Sequence, residues 1–165
     1  MPSIQKISPC LWFDRQAEEA AAFYTGIFRN SKIVTVSHYG EAGYEFHKMP
    51  KGTVMTVVFE LDGQSFTALN AGPKFKFNEA ISFQVYCETQ EELGYFWNRL
   101  SEGGDPDAQQ CGWLKDRYGV SWQIVPTVME EMFEEADAEK SERAMTAVMQ
   151  MKNLDIAELK QAFSG

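Results

Sequence analysis

The chain has 165 residues, a net charge of −9 and only three cysteines, Cys10, Cys87 and Cys111. That length suits one domain and is enough to build a core without a disulfide or a structural metal. The odd cysteine count without C-x-x-C spacing argues against a disulfide framework or a zinc knuckle, and the acidity against a nucleic-acid partner.

No stretch approaches the ~20 apolar residues of a membrane span, and "MPSIQKISPCLWF" lacks the pattern of a signal peptide. No membrane association is therefore expected, and a reducing, cytoplasmic setting is the simplest reading of the cysteines. The charge is uneven. Residues 130–143 hold seven acids against two bases, which accounts for five of the nine net negative charges. Such a run reads as a solvated helical face.

In chain order, "KISPCLWF" (6–13) is a short apolar strand. "AEEAAAFYTGIF" (17–28) places Ala20, Phe23, Tyr24, Ile27 and Phe28 at the spacing of an amphipathic helix. Strands follow at 32–39, 53–63 and 64–72, with a long polar connection over 40–52. Asp62-Gly63 marks a hairpin between the last two. The second half repeats the order. A strand at 80–87 leads into a helix opened by the capping box Thr89-x-x-Glu92, with Leu93, Phe96, Trp97 and Leu100 on one face. Residues 107–111 are a poor strand, and "GWLKDRYG" and "VSWQIVP" supply two better ones. After Pro126, helices are expected over 127–136 and 139–151, and from a second capping box, Asp155-x-x-Glu158. The methionines at 129, 132, 145, 149 and 151 read as core or as a dimer seam.

The expected fold class is therefore α+β: two βαβββ modules, about 4–72 and 80–126, forming a cupped mixed sheet with outer helices. They make one domain over 1–126, and a helical extension occupies 127–165.

Three segments, "ISPCLWFDRQAEEAAAFYTGIF", "AISFQVYCETQEEL" and "CGWLKDRYGVSWQIVP", resemble the PhnB-like branch of the glyoxalase/bleomycin-resistance (vicinal oxygen chelate) superfamily. The most specific element is D-x-x-G-x-x-W-Q, Asp116 to Gln123, where a tight turn and strand register decide which side chain points inward. Sequences of this branch often carry the label 3-demethylubiquinone 3-methyltransferase. The resemblance implies a ligand site on the concave sheet face. In metal-using branches four ligands, typically His, Glu or Gln, come from the first and fourth strands of each module and hold a divalent ion as a Lewis acid.

Carried onto this chain, those positions are Pro9, Phe66, Ser82 and Gln123. Pro9 and Phe66 cannot ligate, Ser82 is a weak donor, and Gln123 is a neutral amide where a carboxylate would stand. A slip of one residue would bring Ser8 or Cys10, Ser65 or Thr67, and Ile81 or Phe83, again without His or Glu. No metal and no cofactor are therefore expected. Alternation then puts Pro9, Leu11 and Phe13, and Ser82, Gln84 and Tyr86, on the concave face, and sends Trp12 and Trp122 toward the helices.

The expected ligand pocket comprises Phe13, Phe66, Asn70, Ser82, Gln84, Tyr86, Trp113, Lys115 and Gln123. The glutamines either satisfy each other or backbone groups, or they read a ligand carbonyl or hydroxyl. Lys115 is turn chemistry or a cation for an anionic ligand. Tyr44, Phe46, His47 and Met49 form a candidate lid. His38 and His47, nine residues apart, make no compact metal pattern, and no His is apparent as a partner for Cys10 or Cys111.

Three functions fit these residues. The first is a metal-independent small-molecule binding protein, sequestering a toxic or antibiotic compound as drug-resistance relatives do. The second is an enzyme, either the methyltransferase of the family label or a glyoxalase-like lyase with an atypical metal site. No G-x-G follows a predicted strand to hold S-adenosylmethionine. The third is an interaction protein with a filled cup. The resemblance and the apolar tail faces point to a homodimer.

Overall fold

The computed structural model describes residues 4–134 and 136–165. Residues 1–3 of the expected domain, and Glu135 of the acidic run and of the helix expected over 127–136, lie outside the described residues. The chain divides into two compact units, Met1–Lys76 and Phe77–Gly165.

The first unit runs β1 (Cys10–Phe13), α1 (Ala17–Thr25), β2 (Lys32–His38), α2 (Tyr44–His47), β3 (Val54–Leu61) and β4 (Gln64–Asn70). Its sheet has the order β1-β4-β3-β2, with β1 parallel to β4 and the other pairs antiparallel. The hairpin at Asp62-Gly63 forms as expected, both residues taking positive φ (47° and 77°). In the order of elements the addition is α2, a single helical turn inside the connection.

Helix α1 buries Ala17, Ala20, Ala21 and Tyr24. The Tyr24 ring stacks on Phe59, and Phe59 on Phe66, at centroid distances of 6.2 and 5.5 Å. The helix has no side-chain cap of its own at Gln16. Instead Asn70 Oδ1, at the end of β4, accepts from Ala17 N (2.9 Å), while Asn70 Nδ2 donates to the Val54 carbonyl (3.0 Å). An orphan helix donor is thus satisfied from across the sheet.

The second unit runs β5 (Ser82–Cys87), α3 (Gln90–Ser101), β6 (Trp113–Lys115) and β7 (Ser121–Pro126), then α4 (Val128–Glu134), α5 (Ala138–Met149) and α6 (Ile156–Ser164). The sheet has three strands in the order β5-β7-β6, with β5 parallel to β7. Where a further strand was expected, Pro106–Ala108 form a 3-10 turn and Gln110 makes an isolated bridge to Trp113. Pro106 lacks the N–H that a ladder needs. The α+β class stands, with two small mixed sheets in place of a single continuous one.

Both predicted capping residues are observed: Thr89 accepts from Glu92 N and Asp155 from Glu158 N. The helical extension docks on the second module. Cys111 N and Gly112 N donate to the carbonyls of Met151 and Lys152 (2.8 Å each). The Gln90 side chain donates to the Leu154 carbonyl and accepts from Ile156 N. Gly104 is required for close approach, because a Cβ there would collide with the Lys115 carbonyl.

Replacing Asn70 by Ala strands the Ala17 N–H and the Val54 carbonyl. The expected loss is about 1–3 kcal/mol of unfolding free energy, read as a lower urea midpoint with an unchanged slope.

Candidate functional site

Each sheet has one face against its helix and one turned away, and strand register assigns every side chain to one of them. In the second unit Val85, Cys87, Leu114, Trp122 and Ile124 are buried on the α3 side. The opposite face is a lattice of two adjacent rows. Ser82, Ser121 and Lys115 are direct cross-strand partners, and beside them Gln84, Gln123 and Trp113 are partners in the same way. Tyr86, 46% exposed, continues this face along β5. The six second-module residues expected in the pocket (Ser82, Gln84, Tyr86, Trp113, Lys115 and Gln123) therefore share one face.

The turn before β7 fixes that register. Asp116 is 2% exposed, and its Oδ1 accepts from Tyr118 N (2.8 Å) and Val120 N (3.1 Å). Its Oδ2 accepts from the Trp122 indole (2.9 Å). Trp122 is thereby held on the α3 side, so its neighbour Gln123 must point away. The motif supplies structure rather than chemistry at Asp116, and it sets the orientation of the amide.

Most polar groups on the face are already engaged, Ser121 Oγ being the exception. Gln123 Nε2 donates to Ser82 Oγ (2.8 Å), and the Tyr86 hydroxyl donates to Gln84 Oε1 (3.2 Å). The glutamines are satisfied by neighbouring hydroxyls, not by each other. Lys115 Nζ pairs with the Glu79 carboxylate. That contact, chiefly through its hydrogen bond, holds the Glu79 carboxyl below its ordinary range.

In the first unit the expected faces are inverted. Leu11 and Phe13 are partners of Ala68 and Asn70, and all four, with Phe66, are buried on the α1 side. Phe13, Phe66 and Asn70 thus lie in the core on the α1 side, not on the face turned away from the helix where they were expected. Trp12, expected on the helix side, lies on the outer face. It donates its indole N–H to the Gly72 carbonyl (2.9 Å) and meets Phe75 edge-on. The cause is one residue of connection length. Three residues join β1 to α1 and only two join β5 to α3, and a shift of one exchanges the faces of a strand.

Aligned by register, Thr67 opposite Cys10 corresponds to Gln123 opposite Gln84, and Ser8 corresponds to Ser82. Neither the Ser8 and Thr67 positions of the first unit nor the Ser82 and Gln123 positions of the second supply the imidazole or carboxylate that a hard divalent ion prefers. Among the described residues no three His, Cys, Asp or Glu side chains are placed to share a metal ion.

The proposed lid is only partly free. Tyr44 and Phe46 are exposed (50% and 85%), whereas Met49 is buried at 3%. His47 Nδ1 accepts from Met49 N (2.9 Å), so its proton sits on Nε2, which faces the Ala42 carbonyl (3.1 Å). Both ring nitrogens thus serve the loop. Burial raises the Cys10 thiol above its ordinary range and, with Glu92 nearby, pushes Cys87 up to about 12, so neither is an activated nucleophile. A groove of ≈ 310 Å³ between α4 and α6, lined by Met132, Lys160 and Phe163 among others, is lined by none of the sheet-face residues.

Helix-backed mixed sheets arranged as two modules are the architecture of the glyoxalase fold. The solved structure of FosX, a genomically encoded fosfomycin resistance protein from Listeria monocytogenes, shares it. The identity is 16%, over 79% of this chain and 97% of that one, with a TM-score of 0.50. Protein PA1353 from Pseudomonas aeruginosa is similar at 22% identity, over 75% and 98%, with a TM-score of 0.57. The chain belongs to the 3-demethylubiquinone-9 3-methyltransferase (PhnB-like) family, whose model matches residues 5–125. The PhnB protein of Bacillus cereus, described with the same methyltransferase label, is 38% identical over 74% of this chain and all of that one, with a TM-score of 0.63. No curated protein matches the chain.

Two outcomes test this site. Asp116→Ala is expected to cost at least about 1.5–3 kcal/mol, the worth of one hydrogen bond to a charged group, and to red-shift Trp122 emission as the indole loses its partner. Glu79 carries the second. Its folded-state carboxyl titrates below its unfolded value, so its contribution is present above the ordinary carboxylate range and is lost as pH falls through the lowered value. In Lys115→Met the Glu79 midpoint, followed by carboxyl-carbon NMR, is expected to move back up.

Proposed function

We propose that this protein is a metal-independent small-molecule binding protein whose ligand contacts the sheet face of Ser82, Gln84, Tyr86, Trp113, Lys115 and Gln123. The observation that carries the reading is the composition of that face. It combines two aromatic rings, two amides, hydroxyls and one lysine, the mixture of apolar surface and a few fixed polar groups that small-molecule sites use. The absence of imidazole and carboxylate at Ser82 and Gln123, and separately at Ser8 and Thr67, supports independence from a divalent ion. Sequestration of a toxic compound is the role we assign, by analogy with the fosfomycin resistance protein that shares the fold.

The protein is proposed to act as a cytoplasmic homodimer. Ile33 and Val34 on the edge strand β2, and Ile81 before β5, are large exposed apolar side chains that a second copy would cover. Among the described residues no helix is long and apolar enough to cross a membrane. The family model favours a second reading, methyl transfer. Against it, no G-x-G follows a strand to bind S-adenosylmethionine.

Native mass spectrometry, after incubation with mixed divalent metals and a cell extract, separates these readings. A dimer carrying a stoichiometric small molecule and no metal is the expected result. One divalent ion per site would overturn metal independence, and saturable binding of S-adenosylmethionine in calorimetry would move the methyltransferase to the front.

A further inference from the structure

The Ser82–Ser121–Lys115 row contains a feature that the binding reading leaves unused. Ser121 is 2% exposed, and its Oγ has no hydrogen-bond partner. Register places it between Ser82 and Lys115, on the same face as both. Most buried hydroxyls find a partner, so an orphan one beside a cation marks a position where an acceptor belongs. Among the described residues Lys115 is the only cation that register places on this face, and its side chain is 25% exposed. Its partner, Glu79, precedes β5 and is itself 61% exposed, so it comes from outside the sheet. Phe77 lies near the turn glycine Gly119, about 4.0 Å from where a Cβ would sit. The residues just before β5 therefore place a carboxylate against Lys115, the cross-strand partner of the residue that carries the unfilled donor.

We propose that the Ser121–Lys115 corner binds the carboxylate of an aromatic ligand, and that Glu79 is an internal carboxylate which this ligand displaces. The aromatic body follows from the next row, where Trp113 lies beside Gln123 and the exposed Tyr86 ring continues the face. On displacement, Lys115 passes from one carboxylate to another, and the Ser121 hydroxyl gains an acceptor. No bond is made or broken. The charge balance explains why a gate is useful. Lys115 is a compact, strongly hydrated point charge, and without Glu79 it would accept any small anion. Glu79 sets a threshold that only a ligand with further contacts exceeds.

The inference rests on the binding-face reading, and the two can fail separately. Benzoate and its neutral analogue benzamide are titrated into wild type, Glu79→Gln, Lys115→Met and Lys115→Arg, with the Trp113 indole and Gln123 side-chain amide followed by NMR. Glu79→Gln is expected to bind benzoate about two- to fivefold tighter than wild type, the range that a partly exposed ion pair can withhold. Lys115→Met is expected to reduce benzoate to the affinity of benzamide, and Lys115→Arg to retain the preference for the anion. Equal benzoate affinity in wild type, Glu79→Gln and Lys115→Met would overturn the proposal. If benzamide perturbs the face and benzoate gains nothing over it, the anion corner is wrong and the binding face stands. If neither compound perturbs the face in any variant, both readings fall.

Discussion

A strand has two faces, and the Asp116 carboxylate decides which of them Gln123 occupies. It binds two backbone N–H groups of the β6–β7 turn and the indole of Trp122. The turn and the register are therefore set by one buried group. If Trp122 turned outward, the indole would leave its acceptor and the apolar set Leu114, Trp122 and Ile124 would leave the α3 side together. Because the side-chain period is two, no intermediate arrangement exists. The parallel β5–β7 pairing then carries the same parity to Ser82, Gln84 and Tyr86. The face inherits its composition from a turn that contributes nothing to it chemically.

The first module shows what happens when no such marker exists in the sequence. In the second module Thr89 caps α3 from the adjacent position, so the helix start is legible and counting back keeps Ser82 on the face turned away from α3. Helix α1 has its cap in Asn70, 53 residues further along the chain. Nothing near residue 16 marks the start, and counting back from it exchanges the faces of β1. Phe13, Phe66 and Asn70 lie in the core on the α1 side for that reason, and Trp12 lies on the outer face. Element order, the Asp62-Gly63 hairpin and the helical extension were legible because they rest on local periodicity and turn chemistry. The missing strand was half legible, since Pro106 argues against a ladder there. The Glu79–Lys115 pair had no sequence signal, because it joins a connection to a strand 36 residues away.

The docking of the helical extension has a related logic. The segment before β6 forms no strand, which leaves backbone donors at Cys111 and Gly112 without a ladder. They are satisfied by the carbonyls of Met151 and Lys152 instead. Gly112 has a positive φ of 82°, and a Cβ there would meet the Leu154 side chain at 3.0 Å and the Ile124 carbonyl at 3.2 Å. The glycine thus serves both the turn and the packing of the 151–154 segment. The extension completes the second module, and Leu154 and Leu159 are as buried as the residues behind the sheet.

Membership of a family named for a methyltransferase shows ancestry and fold, whereas chemistry depends on the residues of the site. On this face Gln123 already holds Ser82, and Tyr86 already holds Gln84. A ligand that breaks either pair gains only the difference between the new bond and the old one, and loses outright where it leaves a partner unmet. The amides are therefore poor sources of affinity and good sources of discrimination: they reject groups that cannot replace the bonds they displace. On the proposed reading, affinity comes from the aromatic surface of Trp113 and Tyr86, and from groups whose internal partners leave something unsatisfied. On that reading, the face selects a class of compounds by the apolar surface it offers and by the bonds its amides already make.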